Sequence, residues 1–224
     1  MCYDSTMIKL LIASNNAGKV REYRQLLAPL AADGVRLCAP KAQGLELAVH
    51  ESGTSYLENA RIKALAFSRA SGLLTLADDS GLEVDALGGE PGVCSARYAG
   101  SDASDVDRYR LLLHELQGVP WERRSARFRC VIVLATPTGE TFTSEGVCPG
   151  IIALEPLGKN GFGYDPVFYL PERGMSMAQL PEDVKNQISH RGRALQALLP
   201  VLKPVLKPVL KRGLNESLVV AGGR

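Results

Sequence analysis

The chain has 224 residues, of which 46% are hydrophobic, and a net charge of +2. That supplies one substantial core, and no apolar run reaches the roughly 20 residues a membrane-spanning helix needs. The charge is uneven: residues 201–224 carry Lys203, Lys207, Lys211, Arg212 and Arg224 against Glu216 alone, a net +4 that leaves −2 for the body and argues against a nucleic-acid-binding domain.

Met1–Thr6 has neither the basic region nor the apolar stretch of a signal peptide, so a cytoplasmic location is expected. Because Met7 directly precedes the first strand-like run, Met1–Thr6 reads as a dispensable extension. Cys2, Cys38, Cys94, Cys130 and Cys148 are scattered without a Cys-x-x-Cys pair, as reduced and mostly buried thiols would be. His50, His114 and His190 lack metal-ligand spacing, and no zinc site is expected.

In chain order, Lys9–Ala13 is a short apolar run suited to a buried strand. Ser14–Lys19 follows as a loop, after which Val20, Tyr23, Leu27 and Leu30 recur at helical spacing. Val35–Cys38 reads as a second strand. Ser55 and Glu58 form a capping box for a helix whose Leu57, Ala60, Ala64 and Phe67 share a face and which Gly72 ends. Leu73–Ala77 is the next strand, and Gly88–Gly92 is a loop. Ser101–Leu116 reads as a helix begun by Ser/Asp caps. Ala126–Thr136 and Glu140–Ile152 flank Pro137-Thr138-Gly139 as a hairpin. Val167–Leu170 is a short strand, and Pro181–Leu199 is the last helix. Alternating elements followed by paired strands predict an α/β fold built on a mixed sheet, one domain over 7–199 with two lobes. Pro200, Pro204 and Pro208 recur in the tail, where interior prolines predict an extended or disordered segment over 200–224.

Five segments carry candidate chemistry. Asp78, Asp79 and Ser80 follow an apolar strand, and in α/β proteins ligands sit at the carboxyl ends of strands. Successive side chains alternate faces, so one carboxylate of the pair faces a given ligand while the other caps or orients its neighbour. Taken locally, such a pair is also ordinary turn chemistry. Ser14, Asn15, Asn16, Ala17, Gly18 and Lys19 lie between a strand and a helix start, where exposed amides and the helix dipole favour an anion, although no Walker A pattern is present and a plain turn fits as well. Glu51 and Glu58 precede or open the second helix. Glu51 with Asp79 would suit Mg²⁺, whereas capping already accounts for Glu58. Phe162, Gly163, Tyr164 and Asp165 lie on a glycine-permitted loop that suits either base stacking or a core turn. Lys185, Ser189, His190 and Arg191 form a polar stretch of the last helix that fits a solvated face equally well.

Taken jointly, the stretches ASNNAGKVREY (13–23), ESGTSYLENARIKA (51–64), ADDSGLEVDALGGEPGVCSARYAG (77–100), GFGYDP (161–166) and KNQISHRGRAL (185–195) resemble the inosine triphosphate pyrophosphatases. The likeness spans about Met7 to Leu199. It implies an elongated α/β fold of two lobes around a cleft, usually as a homodimer, and Mg²⁺-dependent hydrolysis of noncanonical purine triphosphates to monophosphate and pyrophosphate. By position it implies Asp79 as general base and magnesium ligand, with Ser80 touching substrate. Ser14 through Lys19 would hold the phosphates, and Phe162, Gly163, Tyr164, Asp165, Lys185, His190 and Arg191 the base. Gln179 stands where the family usually has an acidic residue, and Ser52 replaces a threonine. Two alternatives share these residues: a related pyrophosphatase for modified pyrimidine triphosphates, and a nucleotide-binding protein without turnover. Neither a nucleic-acid nor a membrane partner is expected.

Overall fold

The computed structural model describes residues 7–221, with side chains through Leu206. Met1–Thr6, Cys2 included, lies outside the described residues. A seven-stranded sheet runs in the order β2-β1-β3-β4-β5-β6-β7. Its strands are β1 (Ile8–Ile12), β2 (Val35–Cys38), β3 (Leu74–Val84), β4 (Ser125–Ala135), β5 (Thr141–Ile152), β6 (Phe168–Leu170) and β7 (Met175–Ser176). β1 pairs in parallel with both β2 and β3, and all other pairings are antiparallel. The mixed α/β sheet read from the sequence is therefore the observed one.

The helices are α1 (Ala17–Leu26), α2 (Tyr56–Ser71), α3 (Asp105–Glu115), α4 (Glu182–Ile188) and α5 (His190–Ala221). Each start has a local cause. Asn16 caps α1 by accepting the Lys19 amide, Ser55 caps α2 by accepting the Glu58 amide, and Ser104 with Asp107 forms a reciprocal capping box on α3. The expected box at Ser55 is only half made, because the Glu58 carboxylate turns to the Thr54 amide and hydroxyl at 2.7 and 3.0 Å. Cys38, Cys130 and Cys148 are buried free thiols as expected, while Cys94 is exposed.

The core falls into three clusters. Leu10, Tyr23, Leu27, Leu76, Ile132 and Leu134 pack under α1 and α5 on one face of the sheet. Ala60, Ala64 and Phe67 of α2 meet Leu11, Ala77 and Val133 on the other face. Leu82, Val84, Leu112, Phe128, Phe168 and Met177 fill the far half of the first face. Where the first and third of these meet along β3, the apolar packing gives way to charged residues.

Two expectations fail at the C-terminal end. The last helix is broken at Ser189, which is extended (φ −65°, ψ 158°) and accepts the Gly192 amide at 3.1 Å. A Cβ on Gly192 would stand 1.8 Å from the Asn186 carbonyl oxygen, so α5 starts against α4 more closely than any side chain allows. The tail is not extended either, since α5 continues through it to Ala221. Prolines four residues apart share one side of the helix, and Pro200 and Pro204 are exposed. Leu198, Leu202 and Leu206 fall on another side and are buried, at 0%, 0% and 3% exposure, in the same cluster as Leu10 and Leu76. Burial of three leucines, at about 1.5–3 kcal/mol each, offsets the backbone hydrogen bonds the prolines remove.

The seat of α5 also rests on a glycine. A Cβ on Gly146 of β5 would lie 2.2 Å from the His190 carbonyl oxygen and 2.3 Å from the Ala194 nitrogen, both backbone atoms of α5. Gly146→Ala is expected to cost about 1–3 kcal/mol through overpacking, a fall of several degrees in thermal melting for a chain of this size. An unchanged melting temperature would show that α5 sits less tightly than described.

Candidate active site

The site is built on the free edge of β3. β1 pairs with β3 only as far as Ile12↔Leu76, while β3 continues to Val84, fully paired with β4 on its other side. The strand therefore does not end at Asp78 and Asp79, as the sequence suggested. Instead its partner on the β1 side ends, because the chain after Ile12 turns away into α1. The uncovered backbone is satisfied by other groups. Lys63 donates to the Asp78 carbonyl at 3.0 Å, the Ser80 amide donates to the Asp79 carboxylate at 2.9 Å, and the Leu82 amide donates to the Ser95 hydroxyl at 2.9 Å. A ligand at this edge can reach both faces of the sheet, and consecutive carboxylates serve one face each.

On the face of Asp78 and Ser80 lies a network of buried charges. Asp78, 1% exposed, pairs with Lys19 at 2.9 Å and Arg191 at 3.3 Å. Arg191 also donates to Ser80 at 3.1 Å and pairs with Glu22. Glu22 in turn holds Lys185 at 2.7 Å, and Lys185 also pairs with Asp165. Burial is the largest influence on Asp78 and would raise its pKa, but Lys19, Arg191 and Lys63 together hold the carboxyl well below the usual range. Glu22 behaves alike: burial opposes ionisation, and Arg191 and Lys185 outweigh it. Burial raises Asp165 despite its Lys185 partner.

Lys19, Asp165, Lys185 and Arg191 of this network line a cavity together with the rings of Phe128, Phe162, Tyr164 and His190. Phe162 stands with Lys185 Nζ 4.8 Å and the Arg191 guanidinium 5.7 Å from its ring centroid. The His190 ring stacks on Phe128, with centroids 4.8 Å apart and planes at 19°. Burial, then Arg191 and Lys185, push the His190 pKa well below its ordinary value, so the imidazole is neutral. Its Nδ1 has no partner among the described residues. Tyr164 donates to the Ser95 carbonyl at 2.9 Å, and the Phe162 amide donates to Asp165 at 2.8 Å. Asp165 thus fixes the loop and Lys185 at once.

The second cavity, on the face of Asp79, shares Asn16, Lys19 and Ser80 with the first. Ser14, Asn15, His50, Glu51, Lys63, Asp79 and Arg97 complete its polar lining. Asn59 donates to Asp79 at 3.1 Å, and Lys63 pairs with Glu51 at 3.0 Å. Burial raises the Asp79 pKa most, Glu51 adds to it, and Lys19, Asn59 and Lys63 counter it only in part. The result is a carboxylate more basic than usual beside two lysines. Asp79 and Glu51 are the carboxylates that could hold a metal here. Among the described residues no group of three or more His, Cys, Asp or Glu forms a metal cage.

The predicted residues therefore converge with few exceptions. Ala17 and Gly18 form the first turn of α1 without lining either cavity, and their amides have no intrahelical acceptor. Gly18 needs no unusual backbone angle. A Cβ there would stand 2.7 Å from two carbons of the Phe162 ring, so the glycine admits the ring. Sequence reasoning missed Glu22, Asn59 and Lys63 as site residues, and it gave Asp78 too small a part. Glu22 and Asn59 are buried beside Tyr23 and Ala60 on their helices, but their neighbours one turn away include Lys19 and Gln25 or Ser55 and Lys63, so no apolar face marks them in the sequence.

The model of the Ham1 family matches residues 10–201. This chain belongs to the Ham1 family. Among curated Ham1 relatives it is similar to the dITP/XTP pyrophosphatase of Geobacillus kaustophilus, with 51% identity over 193 residues covering 86% of this chain and 93% of the relative. The dITP/XTP pyrophosphatase of Methylococcus capsulatus is 52% identical over 192 residues, covering 85% and 94%. Among solved structures, a HAM1 protein from Coxiella burnetii superposes with a TM-score of 0.79 at 41% identity, covering 88% of this chain and all of that one. A nucleoside-triphosphatase / dITP/XTP pyrophosphatase from Mycobacterium abscessus gives 0.69 at 44%, covering 87% and 100%. Both Ham1 cavities fall within the matched span. No helix among the described residues is long and apolar enough to cross a membrane.

Proposed function

We propose that this chain hydrolyses noncanonical purine nucleoside triphosphates (ITP, dITP and XTP) to the monophosphate and pyrophosphate. The observation that carries the reading is the pair of cavities meeting at the free edge of β3. One is aromatic with fixed cations, suited to a base, and the other is polar with a basic carboxylate, suited to a triphosphate. The relatives' names supply the class of base.

Asp79 acts as general base on the water that attacks the α-phosphorus, and its raised pKa suits that task. Lys19 and the amides of Ala17 and Gly18 meet the phosphate oxygens, where the helix dipole favours negative charge. Mg²⁺ fits the donor set. Asp79 and Glu51 offer hard carboxylate oxygens in one cavity, and magnesium commonly takes one or two carboxylates plus waters and substrate phosphates. When bound, it would offset charge on the phosphate oxygens and the departing pyrophosphate. Lys185 and Arg191, held rigid by Glu22, Asp165 and Asp78, present donors toward O6 of hypoxanthine or xanthine. Adenine carries an amino donor there instead, and a site left with unpaired buried donors rejects it by about 10⁴–10⁵. A cytoplasmic homodimer is proposed with this activity. Glu83, Arg127, Arg129 and Glu145 form a half-exposed charge ladder across β3, β4 and β5 that would suit such an interface.

The test is pyrophosphate release from ITP, XTP, GTP, ATP and dUTP, each with and without Mg²⁺. Magnesium-dependent release from ITP and XTP, with ATP and GTP slow, is expected. Preference for dUTP would favour the pyrimidine reading, and binding of ITP without release the non-catalytic one. The pH profile gives a further expectation. Because the Asp79 pKa is raised, kcat/KM should fall on the acid side through a limb above the ordinary aspartate value of about 3.9. A limb at or below that value would remove Asp79 as the base.

A further inference from the structure

The nucleotide reading leaves one half-buried contact at the cavity without a role. Asp105 is the first residue of α3, yet the cap of that helix is made by Ser104 and Asp107. The Asp105 carboxylate is free of that duty and is used elsewhere. Its Oδ1 pairs with Arg108 at 2.7 Å, and its Oδ2 accepts the amide of Gly163 at 2.7 Å, across 58 residues of chain. Gly163 has φ +64°, and nothing lies within 4 Å of where its Cβ would be. Left-handed backbone, and not lack of space, calls for glycine here, and the turn it makes aims this amide at α3. The preceding residue is Phe162, whose ring packs over Gly18 and beside Lys185 and Arg191. Asp105 and Arg108 line the same cavity as Lys185 and Arg191, and Arg108 Nε has no partner among the described residues.

The geometry points to Asp105 as a positioning residue for base recognition: it anchors Gly163 to α3 and so holds the Phe162 ring in place to stack on the purine. The inference rests on the nucleotide reading of the site. Arg108 keeps the carboxylate turned toward the loop, while the phosphate-facing groups bond elsewhere, Lys19 to Asp78, Glu51 to Lys63 and Asp79 to Asn59. Asp105 therefore acts on the base and not on the phosphates.

The variants are Asp105→Ala, which removes the acceptor, and Asp105→Asn, which keeps an oxygen for the Gly163 amide. Both leave Ser104 and Asp107 to cap α3. Base stacking is worth about 1–3 kcal/mol, so partial loss should raise KM for ITP about tenfold in Asp105→Ala, with kcat changed less. Inhibition by IMP should weaken by a similar factor. Inhibition by pyrophosphate, which has no base, should be unchanged. Asp105→Asn should restore most of the affinity. KM for ITP within twofold of the unsubstituted enzyme in Asp105→Ala would overturn the proposal, as would an equal loss of IMP and pyrophosphate affinity, the mark of a general structural defect. Asp105→Asn as weak as Asp105→Ala would also overturn it. An unsubstituted enzyme that neither binds nor cleaves ITP would overturn the functional reading itself, and this inference with it.

Discussion

Asp79→Asn is expected to lower kcat on ITP by about 10²–10⁴, the usual contribution of a positioned general base, while the protein stays folded. The second half of that expectation comes from the sign of the pKa shift. Burial raises the Asp79 pKa, so folding favours the protonated carboxyl. The stability associated with this group is present at low pH and is lost as pH rises through the raised value. At pH 7 the ionised side chain is therefore a cost that asparagine removes. Against this gain stands one altered hydrogen bond from Asn59. The two offset, and the melting temperature should stay within a few degrees. Retained turnover would reassign the base. Lost turnover with a collapsed melting temperature would make Asp79 a structural residue.

Asp78→Asn should do the reverse. Asp78 is 1% exposed and is the shared counter-ion of Lys19 and Arg191. Removing one partner from a buried ion pair leaves uncompensated charge, at about 3–5 kcal/mol. For a chain of this length that is a fall on the order of 10 °C in melting temperature. The pH dependence identifies the cause. The Asp78 pKa is lowered, so its contribution is complete above the unfolded value, about 3.9, and is lost as pH falls below it. The stability gap between the unsubstituted protein and Asp78→Asn should be full at pH 7 and close progressively under acid conditions. A gap that is small at pH 7, or constant down to pH 3, would show that Lys19 and Arg191 do not depend on this carboxylate.

The contrast between these neighbours shows what a sequence can and cannot convey. That Asp78 and Asp79 point to opposite faces follows from strand geometry alone, and the sheet bears it out. That β3 runs on beneath them does not follow, because Ser80 and Gly81 look like turn residues until their pairing with Cys130 and Arg129 is known. Gly81 is in fact required by close packing, with a Cβ there standing 2.2 Å from the Gly92 carbonyl oxygen. Local signals such as the Ser55 cap and the strand-to-helix loop at Asn16 were legible because their partners lie within three residues. The partners of Glu22 lie 163 and 169 residues away, at Lys185 and Arg191, and no local pattern announces such contacts. The tail failed for a related reason. Its prolines argue against helix locally, whereas the leucines between them gain burial against β1 and β3 that only the fold reveals.

The account centres on attack at the α-phosphorus by a water that Asp79 activates. Hydrolysis of ITP in H₂¹⁸O, followed by mass analysis of the products, tests this directly. The account predicts IMP carrying one ¹⁸O and unlabelled pyrophosphate as the products. Label in pyrophosphate, or release of inorganic phosphate with IDP, would place the attack on another phosphorus and contradict the arrangement of the two cavities proposed here.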